Sequence, residues 1–193
     1  MPAEGRVDVG GGATLWYRIA GSAPDTVMVP LGVYLREALA ALGSSHTLVF
    51  YDPRNRGRSD VVADSTQATF ANDVSDLEAV RSRLGISRFS LIGFSYFGAV
   101  VAAYAAEHGE RVARVVLMSP IEPSDSLERS FDPPERRSRL DTTQARALVK
   151  SRAAGRDTAD AARYCSAYWR LNAPLFVGDT ARAGRVNAAW CQF

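Results

Sequence analysis

Apolar residues along this chain fall in short dense runs, separated by stretches in which they recur at helical spacing. Val7 to Val9 and Ala13 to Ile19 read as two strands, and Gly10-Gly11-Gly12 between them is a hairpin signal. Thr26 to Leu31 and Thr47 to Tyr51 are compact apolar runs, predicted as buried strands, with a short helix from about Tyr34 to Leu42 stopped by Gly43. Phe70, Val74, Leu77, Val80 and Leu84 then recur at steps of four and three, which predicts one apolar helical stripe. Asp73, Asp76, Glu78, Arg81 and Arg83 lie mostly off that stripe. Phe89 to Gly93 is another strand, followed by an alanine-rich helix to about His108, and Val112 to Met118 is the sixth strand.

Two β-rich runs followed by strand–helix alternation predict an α/β fold, with a mostly parallel, doubly wound sheet of six strands. Crossovers are right-handed, so the parallel strands end on one edge, and ligands bind at that carboxyl edge. The loops there start at Leu31, Asp52, Gly93 and Ser119. From about Ser124 the strand signal stops. Helix-compatible segments, Glu135 to Ala153 and Thr158 to Trp169, take over, and the charge balance turns from slightly acidic to slightly basic. The expected organisation is a core over 1–123 and an incomplete helical cap segment over 124–193. Tyr164, Tyr168, Trp169 and Phe176 are candidates for the underside of that cap.

Composition narrows the function classes. A net charge of +2 gives no case for nucleic acid or an anionic membrane. The 23 basic residues include one lysine, Lys150, an arginine bias that reads as coding habit rather than a binding patch. Cys165 and Cys191 lack metal-ligand spacing, and no apolar run approaches the roughly 20 residues of a membrane span. The default is therefore a reduced, cytoplasmic compartment, with no cofactor and no metal.

The candidate chemistry sits at Leu91-Ile92-Gly93-Phe94-Ser95-Tyr96-Phe97-Gly98. A strand runs into a sharp bend and then a helix, with a serine at the apex. Such a bend exposes the hydroxyl above the sheet and aims the first N–H groups of the helix at whatever it attacks. In the Gly-x-Ser-x-Gly pattern the second glycine falls at position 97, which is Phe97 here, and a glycine comes one place later. The bland alternative is a βα turn whose serine caps the helix. Arg54, Arg56 and Arg58 in the loop 52–60 could pass for a phosphate or nucleic-acid site. The plainer reading has Asp52 accepting backbone N–H bonds and the arginines pairing with carboxylates.

Taken together, Tyr51 to Asp60, Asp76 to Gly85, the bend from Leu91 to Gly98, and Glu107-His-Gly-Glu-Arg-Val112 leading to Ser119-Pro120 resemble the α/β-hydrolase fold family, in its serine-type, cap-bearing, proline-iminopeptidase or esterase-like branch. The resemblance implies nucleophilic acyl transfer on a small ester, amide or peptide. Ser95 would be the nucleophile, and the backbone N–H groups of Val33 and Tyr96 the oxyanion hole. Glu122, just after the sixth strand, stands where some relatives place their acid. The chain carries Leu31-Gly32 where a family member usually has His-Gly.

A serine nucleophile needs a general base within about 3 Å, directly or through one water. His108 lies near the end of the helix that starts beside Ser95, on the order of 18 Å away at 1.5 Å per residue. His46 precedes the fourth strand, roughly 17 Å below its active end. Neither is the base. In the resembling family the acid and histidine follow later strands, so the economical expectation is a C-terminally truncated hydrolase whose sixth strand is a free edge prone to self-association. The alternatives are a non-catalytic binding or interaction module, an inactive fragment of a hydrolase, and a phosphate-binding α/β domain. The last is weakened because no Lys-Ser/Thr follows Gly98.

Overall fold

The computed structural model describes residues 3–121, 140–175, 177 and 179–184. The chain divides into two compact units, residues 1–123 and 124–193. The first is built on a six-stranded sheet of order β1-β2-β4-β3-β5-β6. Its strands are β1 (Glu4–Asp8), β2 (Thr14–Ala20), β3 (Thr26–Pro30), β4 (Thr47–Tyr51), β5 (Phe89–Phe94) and β6 (Val112–Met118). β1 and β2 form the expected hairpin, and β2 runs antiparallel to β4. The other pairings, β4–β3–β5–β6, are parallel, so the fold is the α/β arrangement the sequence predicts. Gly10, Gly11 and Gly12 all take positive φ, which lets the hairpin turn as tightly as it does.

The helices that matter to the site are α2 (Phe70–Arg83) and α3 (Tyr96–Glu107). The Thr69 side chain caps α2 by accepting from the Asn72 N–H at 3.1 Å. Val74, Leu77 and Val80 of the predicted stripe are buried, but Phe70 is 39% exposed and meets the Tyr96 ring edge-on at 6.0 Å. Asp76, expected off the stripe, is buried because it accepts two hydrogen bonds from Arg54, at 2.7 and 2.8 Å. The helix expected from about Tyr34 to Leu42 is broken in two. A single turn, α1 (Gly32–Leu35), is followed by a separate 3-10 segment at Ala40–Ser44. α1 starts at Leu31, held in a left-handed conformation with φ 67°, and no side chain caps it. β6 is the outer strand among the described residues, and Val115, Val116 and Leu117 on it are 37%, 49% and 46% exposed.

In the second unit α4 (Thr142–Ala153) is capped by Asp141, which accepts from the Thr143 and Gln144 N–H groups. Residues 135–139 of the expected long helix lie outside the described residues. The expected helix from Thr158 to Trp169 is interrupted. α5 (Arg156–Ala159) stops at Asp160, which leaves helical geometry to cap α6 (Ala161–Asn172) by accepting from the Arg163 N–H. Tyr168 is 40% exposed and stands edge-on to Trp169 at 5.4 Å; Phe176 lies outside the described residues. Cys165 is disulfide-bonded. No helix among the described residues is long and apolar enough to cross a membrane.

Candidate active site

Four residues other than glycine have positive φ among those described: Leu31, Asn55, Ser95 and Ser119. Each lies in the loop leaving the carboxyl end of one of the four parallel strands β3, β4, β5 and β6. Strained backbone of this kind persists where the surroundings over-determine it, and it clusters at working sites. The carboxyl edge is therefore marked out by conformation as well as by topology.

Ser95 is the sharpest case. It sits between β5 and α3 with φ 53° and ψ −127°, half-buried, and its side chain makes no capping bond to the helix. The bland alternative, a serine that caps α3, does not describe this geometry. Its backbone is pinned on both sides: the Ser95 N–H donates to the Met118 carbonyl at 3.0 Å, and its own carbonyl accepts from Ile121 N–H at 3.1 Å.

The displaced glycine also has a physical account. A Cβ on Gly93 would lie 2.5 Å from the Phe97 carbonyl oxygen and 2.4 Å from Val101 Cγ2, so the helix crosses directly over that position. A Cβ on Gly98 would lie 2.8 Å from Pro120 Cβ. Close approach is thus required at Gly93 and Gly98. Phe97 turns its ring aside, buried, against Tyr96 at 5.2 Å, and the bend forms with a large residue there.

Tyr96 occupies the first position of α3, where a backbone N–H has no intrahelical acceptor. Its phenol donates to Asp73 Oδ2 on α2 at 2.9 Å. Burial, and then the bond to Asp73, push the Tyr96 phenol up to about 12. Burial likewise raises Asp73 above the ordinary carboxylate range, and the bond from Tyr96 partly opposes that.

The Val33 N–H, expected to face an oxyanion, donates to Asp52 Oδ1 at 2.6 Å. The physical reason is the burial of Asp52, which is 1% exposed: a desolvated carboxylate takes the nearest donors, here Val33 N–H and Arg58 N–H. Burial raises its proton affinity, and those two bonds pull it back. Asp52 thus accepts backbone N–H bonds, as the plainer sequence reading expects, while Arg56 bonds the Asn55 carbonyl rather than a carboxylate. Arg54 pairs with Asp76 and Arg6 with Asp60.

Both histidines stand at the opposite end of the unit. His108 ends α3, the helix that Ser95 begins, and stacks at 4.7 Å on Tyr104. His46 precedes β4 and its Nδ1 is 2.8 Å from Ser45 Oγ. Glu122 lies outside the described residues. No group of three or more His, Cys, Asp or Glu side chains able to hold a metal occurs among the described residues.

Fold, edge and bend define a class. The profile of the alpha/beta hydrolase fold matches residues 29–189, so the chain belongs to that family. Among its relatives, a proline iminopeptidase of Xylella fastidiosa is 36% identical over 72 residues, 37% of this chain and 23% of that protein. A proline iminopeptidase of Heyndrickxia coagulans is 26% identical over 126 residues, 62% of this chain and 44% of that protein. Matched stretches thus span less than half the length of these curated relatives. Among solved structures, an esterase from Rhodococcus sp. ECU1013 superposes over 98% of this chain and 73% of its own, with TM-score 0.61 and 26% identity.

Proposed function

We propose that this chain carries the nucleophile of a serine hydrolase acting on an ester or amide bond, with Ser95 in that role. The observation that supports it above the rest is the Ser95 backbone, strained between a buried strand and a helix start at the carboxyl edge. Ser95 Oγ attacks the substrate carbonyl carbon, and the carbonyl oxygen takes up negative charge. In this reading the Tyr96 N–H, at the head of α3, donates to that oxygen, and the helix N-terminus favours the charge. Val33 N–H is the second candidate donor of this reading and has to be released by Asp52. The tetrahedral adduct expels the alcohol or amine, and water cleaves the acyl-serine.

The proton of Ser95 needs a destination, and neither His46 nor His108 is near. Hydrolysis therefore depends on a base that the described residues do not provide. Similarity to a proline iminopeptidase and to an esterase puts small peptides and esters first among substrates.

A fluorophosphonate, read by mass spectrometry with and without added imidazole, tests this. The expected outcome is labelling at Ser95 that appears only with imidazole and vanishes in Ser95→Ala. Labelling without imidazole removes the missing-base argument, and no labelling in either condition removes the nucleophile. The second reading, a binding module that keeps the fold without the chemistry, is favoured by the remote histidines. It gains if Ser95 stays inert while a ligand still binds.

A further inference from the structure

A cavity of about 230 Å³ opens in the first unit against the first turn of α3. Tyr96 and Phe97 form one wall, Pro53 and Ala68 contribute apolar surface, and Asp73, Asn55 and Arg56 supply the polar groups. Ser95 is not among its lining residues. From this cavity we infer a binding site for a small organic ammonium ion, a primary or secondary amine on an apolar body, anchored by Asp73.

The argument is one of unmatched charge. Arg54, which also lines the cavity, is already matched by the two-bonded pair with Asp76. Asp73 is half-buried and forms no ion pair among the described residues; its one side-chain bond comes from the neutral Tyr96 phenol, and the charges of Arg56 and Arg54 act on it only from beyond ion-pair distance. A desolvated carboxylate in that position is stabilised by a cation more than any other group in the cavity is by a counter-ion. Burial is the first cause of its raised proton affinity; the Tyr96 bond opposes the rise, Asp76 adds to it, and Arg56 and Arg54 oppose it.

The aromatic wall reinforces the choice of ligand. Tyr96 and Phe97 stand edge-to-face, so their rings present different orientations to the cavity, and a ring face attracts an ammonium group. The opposing chemistry is anionic. Arg56 is exposed, with one bond to the Asn55 carbonyl at 3.2 Å, and Arg54 Nη1 is buried without a hydrogen-bond partner in the described structure. Arg56 is exposed to solvent, and Arg54 has Asp76 as its counter-charge. Neither gains from an anion what Asp73 gains from a cation.

This site goes beyond the hydrolase reading and does not depend on Ser95 reacting. Benzylamine, benzyl alcohol and sodium benzoate share an apolar ring and differ in charge, so they serve as probes. Amide chemical-shift titration of the whole chain at neutral pH reads both affinity and place. Benzylammonium is expected to bind about tenfold or more tighter than benzyl alcohol, since a charge-assisted bond is lost with the alcohol. Shifts are expected at the Tyr96 and Phe97 amides. Asp73→Asn keeps an acceptor for Tyr96 and removes the charge, and it is expected to erase that preference. Equal binding of amine and alcohol, tighter binding of benzoate, shifts elsewhere, or an amine preference that survives in Asp73→Asn each overturn the proposal. The three probes on the unaltered chain decide the matter even where the variant fails to fold. The labelling of Ser95 is unaffected by any of these results, so the two readings fail separately.

Discussion

At the scale of single residues, the buried Arg54–Asp76 pair is the clearest liability. Both side chains are nearly excluded from water, 5% and 2% exposed, and two bonds hold the fork. Asp76→Asn removes the charge that Arg54 needs and leaves a cation in a desolvated site. The expected loss is about 3–5 kcal/mol, checked by urea denaturation, whereas a well-packed apolar replacement of both partners costs far less. Sequence periodicity puts Asp76 off the stripe, since an aspartate at that register ordinarily faces water. Its partner lies 22 residues earlier, and no local pattern announces a pairing across a loop. Ser95 is the opposite case. The run from Leu91 to Gly98 places a serine at a strand–helix bend by itself, and the structure has Ser95 there with φ 53°. Leu31 and Ser119 share positive φ without a residue type that signals it, whereas Asn55 is of a type that enters left-handed backbone readily.

At the scale of elements, α2 is stitched to its neighbours through Glu78. The Tyr104 hydroxyl on α3 donates to Glu78 at 2.6 Å, as does Arg111 ahead of β6, while Arg81 bonds it from within α2. The Arg81 bond first, then Tyr104 and the charges of Arg81 and Arg111, bring the Glu78 carboxyl down from 4.5 to about 2, against the effect of burial. A carboxyl lowered in the folded state contributes its stability in full above its unfolded value and loses it as pH falls toward the folded one. The stability gap between the unaltered chain and Glu78→Gln is therefore widest above about pH 5 and closes toward about pH 2, which denaturation at a series of pH values reads directly. The strands were legible because dense apolar runs have few alternatives. The helix expected after β3 was not, because the segment is short and its shape is set by the pull of Asp52 on Val33 rather than by its own periodicity.

At the scale of the molecule, β6 is the outer strand of the described sheet and carries apolar residues that are exposed on both of its faces. An outer strand of this kind offers unpaired N–H and C=O groups to any second strand. Concentration-dependent self-association is the expected behaviour, and Val116→Lys is expected to suppress it, because a lysine on an outer strand resists pairing. Sedimentation equilibrium across a dilution series checks this. A chain that stays monomeric at every concentration speaks against it, as does a lysine variant that associates equally well.

The same strand reaches the serine. Ser95 gives its N–H to Met118, the last residue of β6, and takes the Ile121 N–H just beyond it. Ser95 is thus tethered through its own main chain to the outer strand of the described sheet, while its side chain makes no capping bond to α3. Anything that straightens, twists or cross-braces that periphery is expected to change the energy of the strained Ser95 backbone. Periphery and bend are in this sense a single mechanical part, and occupancy of the outer strand is expected to act as an input to the geometry of Ser95.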